Sequence, residues 1–305
     1  MQVFDLSLPV PVDARNAVVV VGNFDAVHLG HQALIDIAKA EAAVKNVPCA
    51  VLTFEPHPRR VFRPDDAPFR VTPLAVKLER LAACGVDNVY VCPFNWDLAA
   101  LSPEDFVQDI LKDKLNPASV VVGKDFHFGH NRTGNADFMR RSGLDVTDIA
   151  LTADTHRGVI SATRIRGALQ AGHIDEANAL LGWEWDIRGI VGHGDKRGRT
   201  IGYPTANVPL GETLHPSYGV YATLVRIEGQ GEWLKAATNI GIRPMFEVRT
   251  GLVEAHILDF NGDLYGKELH IRPVQKIRDE VRFDSLDALI KQIDDDCHQV
   301  RKILG

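Results

Sequence analysis

The chain has 305 residues, 45% of them hydrophobic and 24% charged, with a formal net charge of −6. That length favours two domains over one, and the apolar content suffices for two real cores rather than a disordered chain. The negative balance argues against a general binder of nucleic acid or of a membrane surface, because neither polyanion is drawn to the summed field.

No apolar run approaches the ~20 residues that span a bilayer, and MQVFDLSLPV has no basic start followed by an apolar core. A cytosolic protein is the expectation. Cys49, Cys84, Cys92 and Cys297 form no CxxC pair, so reduced thiols are expected rather than disulfides or a zinc site.

Strand-like runs occur at Val18–Gly22, Pro48–Phe54, Asn88–Pro93, Ser119–Gly123 and Asp145–Leu151. Helical patterns lie between them, around Gln32–Lys45, Leu74–Cys84, Ser102–Lys114 and Ala136–Ser142. This alternation predicts a mostly parallel sheet with helices on both faces, whose ligands gather at the carboxyl ends of the strands. Glu55–Thr72 carries four prolines and four arginines, too many prolines for regular structure, and reads as a surface loop or as a lid or ligand wall. Ile160–Gly172 reads as a short helix capped by Ser161, and Asp175–Gly182 as another capped by Asp175.

From Gly189 onward short strands with glycine turns take over: Val220–Ile227, Trp233–Asn239, Leu252–Phe260 and Leu264–Ile277. Asn261-Gly262 predicts a type I′ hairpin, and the whole half an antiparallel barrel or sandwich. A closing helix begins near Ser285, with an apolar stripe from Leu286 to Leu304 that is core packing. The domain boundary is expected near Gly182–Asp186.

The chemistry concentrates in a few stretches. In VVVVGNFDAVHLGHQ a strand meets a helix start, where unpaired N–H groups and the macrodipole suit a phosphate. His28 and His31 are three apart and so share a face of the first turn, with Gly30 allowing close approach. A metal pair is the rival reading, but ligands on a helix commonly sit i, i+4 and no HExxH is present. GHGDKRGRTIGYPTAN, residues 192–207, is a basic glycine-rich loop able to cover a polyphosphate, and it is not a Walker A motif. Thr205 and Asn207 share a face if extended and offer oxygens suited to Mg²⁺. In VEAHILDF an inward Glu254 could accept a proton from a hydroxyl, whereas an outward one would be an ordinary surface acid.

GNFDAVHLGH resembles the GxFDGxHxGH signature of nucleotidyltransferases, and ISATRIR, Ile160–Arg166, resembles their second signature, ISSTxIR. GRTIGYPTAN, HPSYGVYA, TNIGIRPMF, VEAHILDFNGDLYG and IRDEVRFDSLDALIKQIDDD resemble the riboflavin kinase module. Over essentially all 305 residues the chain thus resembles the bacterial bifunctional riboflavin kinase and FAD synthetase family. The resemblance implies an N-terminal Rossmann-like, doubly wound nucleotidyltransferase domain at 1–183 and a C-terminal antiparallel β-barrel kinase domain with a terminal helix at 184–305.

It implies phosphorylation of riboflavin to FMN with MgATP in the second half and adenylylation of FMN to FAD, with release of pyrophosphate, in the first. By the same resemblance Gly22, Asn23, Phe24, His28, His31, Ser161, Thr163 and Arg164 would line or hold the ATP of the adenylyl transfer. One of Arg164 and Arg166 is expected on a solvated helix face. Gly192, Gly198, Thr205 and Asn207 would bind the kinase ATP, with Mg²⁺ on Thr205 and Asn207 and Glu254 as general base. Riboflavin, FMN and ATP are the implied partners, with neither nucleic acid nor membrane among them, and self-association into a homo-oligomer is left open. Three departures stand out: Ala26 replaces the family's glycine, Ala162 replaces a serine, and Met245 replaces the threonine of PTF. An Ala26 at positive φ would be strained by roughly 1 kcal/mol or more.

Overall fold

A computed structural model of the chain describes residues 1–150, 158–193, 201–245 and 248–305. It divides into two compact units, residues 1–66 with 72–161 and residues 67–71 with 162–305.

The first unit is a six-stranded sheet in the order β1-β4-β3-β2-β5-β6, formed by Gln2–Asp5 (β1), Val18–Val21 (β2), Cys49–Glu55 (β3), Asn88–Pro93 (β4), Ser119–Gly123 (β5) and Val146–Ile149 (β6). Every pairing is parallel. The four valines of β2 show why it is central: Val19 and Val21 enter the core on one face, Val18 and Val20 the core on the other. Successive strand side chains point to opposite faces, so an unbroken β-branched run suits a strand covered on both sides. Helix α1 (Leu29–Lys45) supplies Leu34, Ile35, Ala38 and Ala42 to one core, and a π-helical stretch, Phe106–Leu115, supplies Phe106, Val107, Ile110 and Leu111 to the other. β2 neighbours both β3 and β5, so the strand order reverses at β2 and its carboxyl end opens on the crevice where such sheets hold ligands.

Two features of this unit were not anticipated. β1, with only one partner strand, lies beyond the sequence pattern because four mostly exposed residues carry no hydrophobic period. The proline-rich segment is not devoid of regular structure: Pro58–Phe62 forms α2, with Pro58 in the first turn and His57 accepting from the Arg59 N–H at 3.1 Å. Proline is tolerated at that position, where its missing N–H has no helical partner to lose.

The remaining α-helices among the described residues of this unit are α3 (Leu74–Ala83), α4 (Trp96–Ala100), α5 (Pro103–Asp105) and α6 (Ala136–Arg141).

The second unit contains α7 (Ala162–Ala171), α8 (Ile174–Leu181), a sheet and a closing helix. Gly172 and Gly182 take positive φ just past the two helices, as a left-handed cap requires. Asp175 is not the cap of α8: His173 holds that position and Asp175 lies in the first turn, where a carboxylate favours the positive end of the dipole.

The sheet runs β7-β12-β9-β10-β11-β8, from Ile187–Ile190 (β7), Ala206–Pro209 (β8), Gly219–Ile227 (β9), Leu234–Met245 (β10), Val248–Ile257 (β11) and Glu268–Arg278 (β12). All pairings are antiparallel, and a further bridge, Gly192 N–H to Asn207 O at 2.9 Å, draws the two edges together. The result is a nearly closed barrel rather than a sandwich. The Asn261-Gly262 hairpin does not form: β11 ends at Ile257, β12 begins at Glu268, and the two do not pair. The connection crosses to another part of the barrel, and its positive-φ residues are Asp259 and Gly266. Helix α9 (Leu286–Leu304) is capped by the Ser285 hydroxyl and packs Cys297 and Val300 on Ala222 and Ala237, outside the barrel. All four cysteines are free thiols, and burial pushes that of Cys49 up to about 12.

Candidate functional sites

In the first unit α1 begins three residues earlier than the periodicity suggests, with His28 as its N-cap. The His28 Nδ1 accepts the His31 N–H at 3.3 Å, which leaves Nε2 as the ring nitrogen that can donate. The two imidazoles stack with centroids 3.7 Å apart, and the Phe24 ring lies 4.9 Å from His31. His31 Nδ1 is a buried polar atom without a hydrogen-bond partner. Burial first, then the charges of His28 and Lys77, hold the His31 pKa well below its ordinary 6.5. The ring is therefore neutral at neutral pH and presents one N–H, a form suited to donating to an anion without carrying a fixed charge.

The turn before the helix is held from beneath. Asn23 is exposed, and its carbonyl accepts the Thr53 hydroxyl at 3.0 Å. Thr53 accepts in turn from Lys77 Nζ at 3.1 Å, while Glu55 takes the same ammonium at 2.8 Å. Lys77 is wholly buried, and Asp25 and Thr72 are buried beside the turn. At Gly22 a Cβ would stand 3.2 Å from the Phe24 ring, so any larger residue would have to displace it. Ala26 has φ +78°, in the left-handed region where its glycine counterpart would sit without strain. None of Lys77, Asp25 and Thr72 was singled out by the sequence. Lys77 carried a signal, since it falls on the apolar stripe of Leu74, Leu78 and Leu81.

Near the carboxyl ends of β3 and β4 an aromatic group emerges at the surface. Phe62 is 50% and Trp96 64% exposed, with ring centroids 5.3 Å apart, and Phe94 lies 5.6 Å from Phe62. Sequence reasoning missed this platform, because its rings come from separate elements.

Of the second signature, Ser161 immediately precedes α7, in the expected cap position, and Thr163 is exposed. Arg164 pairs with Glu176 at 2.7 Å. Arg166 donates to the Phe69 carbonyl at 2.9 Å and lies over its ring. Arg164, its side chain 37% exposed in this ion pair, is compatible with the solvated face expected for one of the two, whereas Arg166 is held against Phe69.

In the barrel the strand register aligns three polar residues: Asn207 of β8 faces Glu254 of β11, which faces Asn239 of β10. Directly opposed residues have Cβ atoms ~5 Å apart and share a face. Val208, Val253, Ala255, Thr238 and Ile240 are buried on the opposite face, so this row lies outside the barrel core. Glu254 is thus not inward, and it is not a bare surface acid either: it is half-buried between two amides. Asn239 Nδ2 donates to Glu280 Oε1 at 3.3 Å, and a Cβ at Gly241 would run into the same carboxylate. Asn207 Nδ2 donates to the Thr205 carbonyl at 3.2 Å.

Thr205 precedes β8, is exposed, and helps to line a cavity of about 700 Å³ with Val191, Ala255, Phe260 and Tyr265. Gly192 stands at the bridge that closes the barrel, while Gly198 and the basic residues around it lie outside the described residues. No group of three or more His, Cys, Asp or Glu among the described residues could hold a metal ion. A cation here would rely on the neutral oxygens of Thr205 and Asn207 with the Glu254 carboxylate. Such a hard, sparse donor set fits Mg²⁺, which keeps waters and leans on substrate phosphates.

Comparison with known proteins agrees with this division of labour. Residues 10–164 match the FAD synthetase family model, and residues 181–304 match the riboflavin kinase model. The bifunctional riboflavin kinase/FMN adenylyltransferase of Escherichia coli K12 is 42% identical, over 95% of this chain and 94% of that protein. Its namesake from Bacillus subtilis is 39% identical, over 93% and 91%. A crystal structure described as a macrolide-efflux protein from Streptococcus pneumoniae superposes with a TM-score of 0.86 at 32% identity, covering 99% of this chain and 98% of that one. Among the described residues no helix is long and apolar enough to cross a membrane. Two family models meeting nearly end to end, on a parallel α/β unit and a barrel unit, place the chain in the bifunctional riboflavin kinase/FMN adenylyltransferase family.

Proposed function

We propose that this chain, a bifunctional riboflavin kinase and FMN adenylyltransferase, runs its two reactions on the two sites described above. The stacked His28–His31 pair at the α1 N-terminus carries the reading for the first half. The domain assignment that goes with it is 1–183 for adenylylation and 184–305 for phosphorylation.

In the kinase half a ribityl hydroxyl oxygen of riboflavin attacks the γ-phosphorus of ATP. The new O–P bond forms as the bond to the β-phosphate bridging oxygen breaks, and ADP leaves. Glu254 takes the hydroxyl proton, held in place by its register with Asn207 and Asn239. Thr205 and Asn207 would hold Mg²⁺, which neutralises charge on the phosphates. The cavity beside Thr205 is the right size for the nucleoside, and Gly192 and Gly198 belong to the loop assigned to its phosphates.

In the adenylylating half a phosphate oxygen of FMN attacks the α-phosphorus of ATP, and pyrophosphate leaves. The protein's task is to hold the two phosphates in line and to stabilise charge on the departing one. His28 and the neutral His31 donate from the helix N-terminus, with Gly22, Asn23 and Phe24 forming the turn around them. The motif supports assigning Ser161, Thr163 and Arg164 to the same triphosphate. The exposed rings of Phe62 and Trp96 offer a stacking surface for the flavin. A cytosolic location suits both substrates.

Incubating the protein with riboflavin, ATP and Mg²⁺, and resolving the flavins by chromatography, should show FMN and then FAD. Appearance of neither flavin would overturn the proposal.

A further inference from the structure

The turn that presents the histidines contains three non-glycine residues at positive φ: Phe24 at 51°, Ala26 at 78° and Val27 at 39°. Each is a costly conformation for an L residue, and such residues persist only where the surroundings over-determine them. Here the surroundings include one side chain from 46 residues away. The Thr72 N–H donates to Asp25 Oδ1 at 2.9 Å, and the Thr72 hydroxyl donates to the same oxygen at 3.1 Å. That hydroxyl also accepts the Ala26 N–H at 2.8 Å. Thr72 is fully buried and Asp25 only 2% exposed, so water does not compete for these bonds. A hydroxyl can donate and accept at once, and here it does so to two adjacent residues of the turn.

We propose that Thr72 is a positioning residue for adenylyl transfer. Its hydroxyl clamps Asp25 and Ala26 in the left-handed turn and so fixes where His28 and His31 meet the phosphates. The inference rests on assigning those histidines to the triphosphate. Thr72 matters more in this chain than it would beside a glycine, because alanine without the clamp relaxes toward negative φ and re-aims the chain entering α1. Displacements of about 1 Å in such an arrangement cost on the order of 100-fold in rate.

The test uses the full chain, with FAD formation from FMN and MgATP measured beside riboflavin phosphorylation. Thr72→Val keeps the shape and the N–H and removes the hydroxyl. Its adenylylation kcat should fall roughly 10- to 100-fold with little change in KM for FMN, and its kinase activity should stay at the wild-type level. Thr72→Ser should restore the rate. Thr72→Val combined with Ala26→Gly should lose less, relative to Ala26→Gly, than Thr72→Val loses alone. A folded Thr72→Val chain that adenylylates at the wild-type rate overturns the proposal. So does a loss that neither serine nor glycine relieves, which would mark a purely structural role. Should Thr72→Val not fold, the double variant is measured against Ala26→Gly: a loss of less than about tenfold is expected there, and a larger loss, undiminished by the glycine, counts against the clamp. His28→Ala separates the two levels: if it adenylylates normally, the histidine assignment fails. If it is inactive while Thr72→Val is not, only the clamp fails.

Discussion

The two candidate sites of this chain are fixed by different physics. In the barrel, Asn207, Glu254 and Asn239 come together through strand register alone, since a period of two and an antiparallel ladder put opposed residues on one face. In the parallel unit the candidate phosphate ligands follow a turn with three strained residues, and the buried Asp25, Thr72, Thr53 and Lys77, with the half-buried Glu55, hold it. A site made by register inherits its precision from the sheet. A site made by a turn needs a scaffold beneath it, and that scaffold is costly to disturb.

Substitutions can break the contrast at either end. The largest effect is expected at Glu254, where Glu254→Gln keeps the register and removes the base. FMN formation should fall by about 10²- to 10⁴-fold, while FAD formation from supplied FMN is unchanged. Equal loss of both activities in a folded variant would contradict two separate sites.

Next is Lys77→Met, which leaves the Glu55 carboxylate without its buried ammonium. Denaturant unfolding of the parallel unit should show a loss of about 3–5 kcal/mol, with the kinase reaction retained. A loss below 1 kcal/mol would show that this layer does not support the turn.

A smaller gain is expected from Ala26→Gly, which relieves φ +78° at the cost of some chain entropy: roughly 0.5–1 kcal/mol of added stability by the same measurement.

The smallest effect concerns pH. The His31 pKa is lowered in the folded state, chiefly by burial, so the unfolded chain binds the proton first as pH falls below 6.5. Stability present above that pH is lost progressively down to the folded value. Thermal unfolding across pH 7 to 5 should therefore drop more steeply in the wild type than in His31→Asn. Parallel curves would place the ring in a more solvated setting than the one described.

Much of this architecture was legible beforehand, and the places where reading failed are physically coherent. Val18–Val21, Asn88–Pro93 and Ser119–Gly123 announced themselves because a doubly covered strand must be apolar throughout. Ser285 and the stripe behind it announced α9 because capping and the 3.6 period are local. Asn261-Gly262 misled, because a turn-forming pair makes a hairpin only if its flanking strands are neighbours, and neighbourhood is a property of the barrel. The orientation of Glu254 was open for a related reason: alternation gives two faces without saying which one the core takes.

The sequence by itself determined the order of the units, the strand–turn–helix with its two histidines, and the residue types that phosphate and proton chemistry require, because these are encoded within a few residues of one another. Only the tertiary structure decided that Thr72 and Lys77 bond to the turn and its support at the first candidate site and that Asn239 completes the row of the second. Those contacts join residues far apart in the chain, and such pairs become neighbours only once the sheets have set their strand order and register.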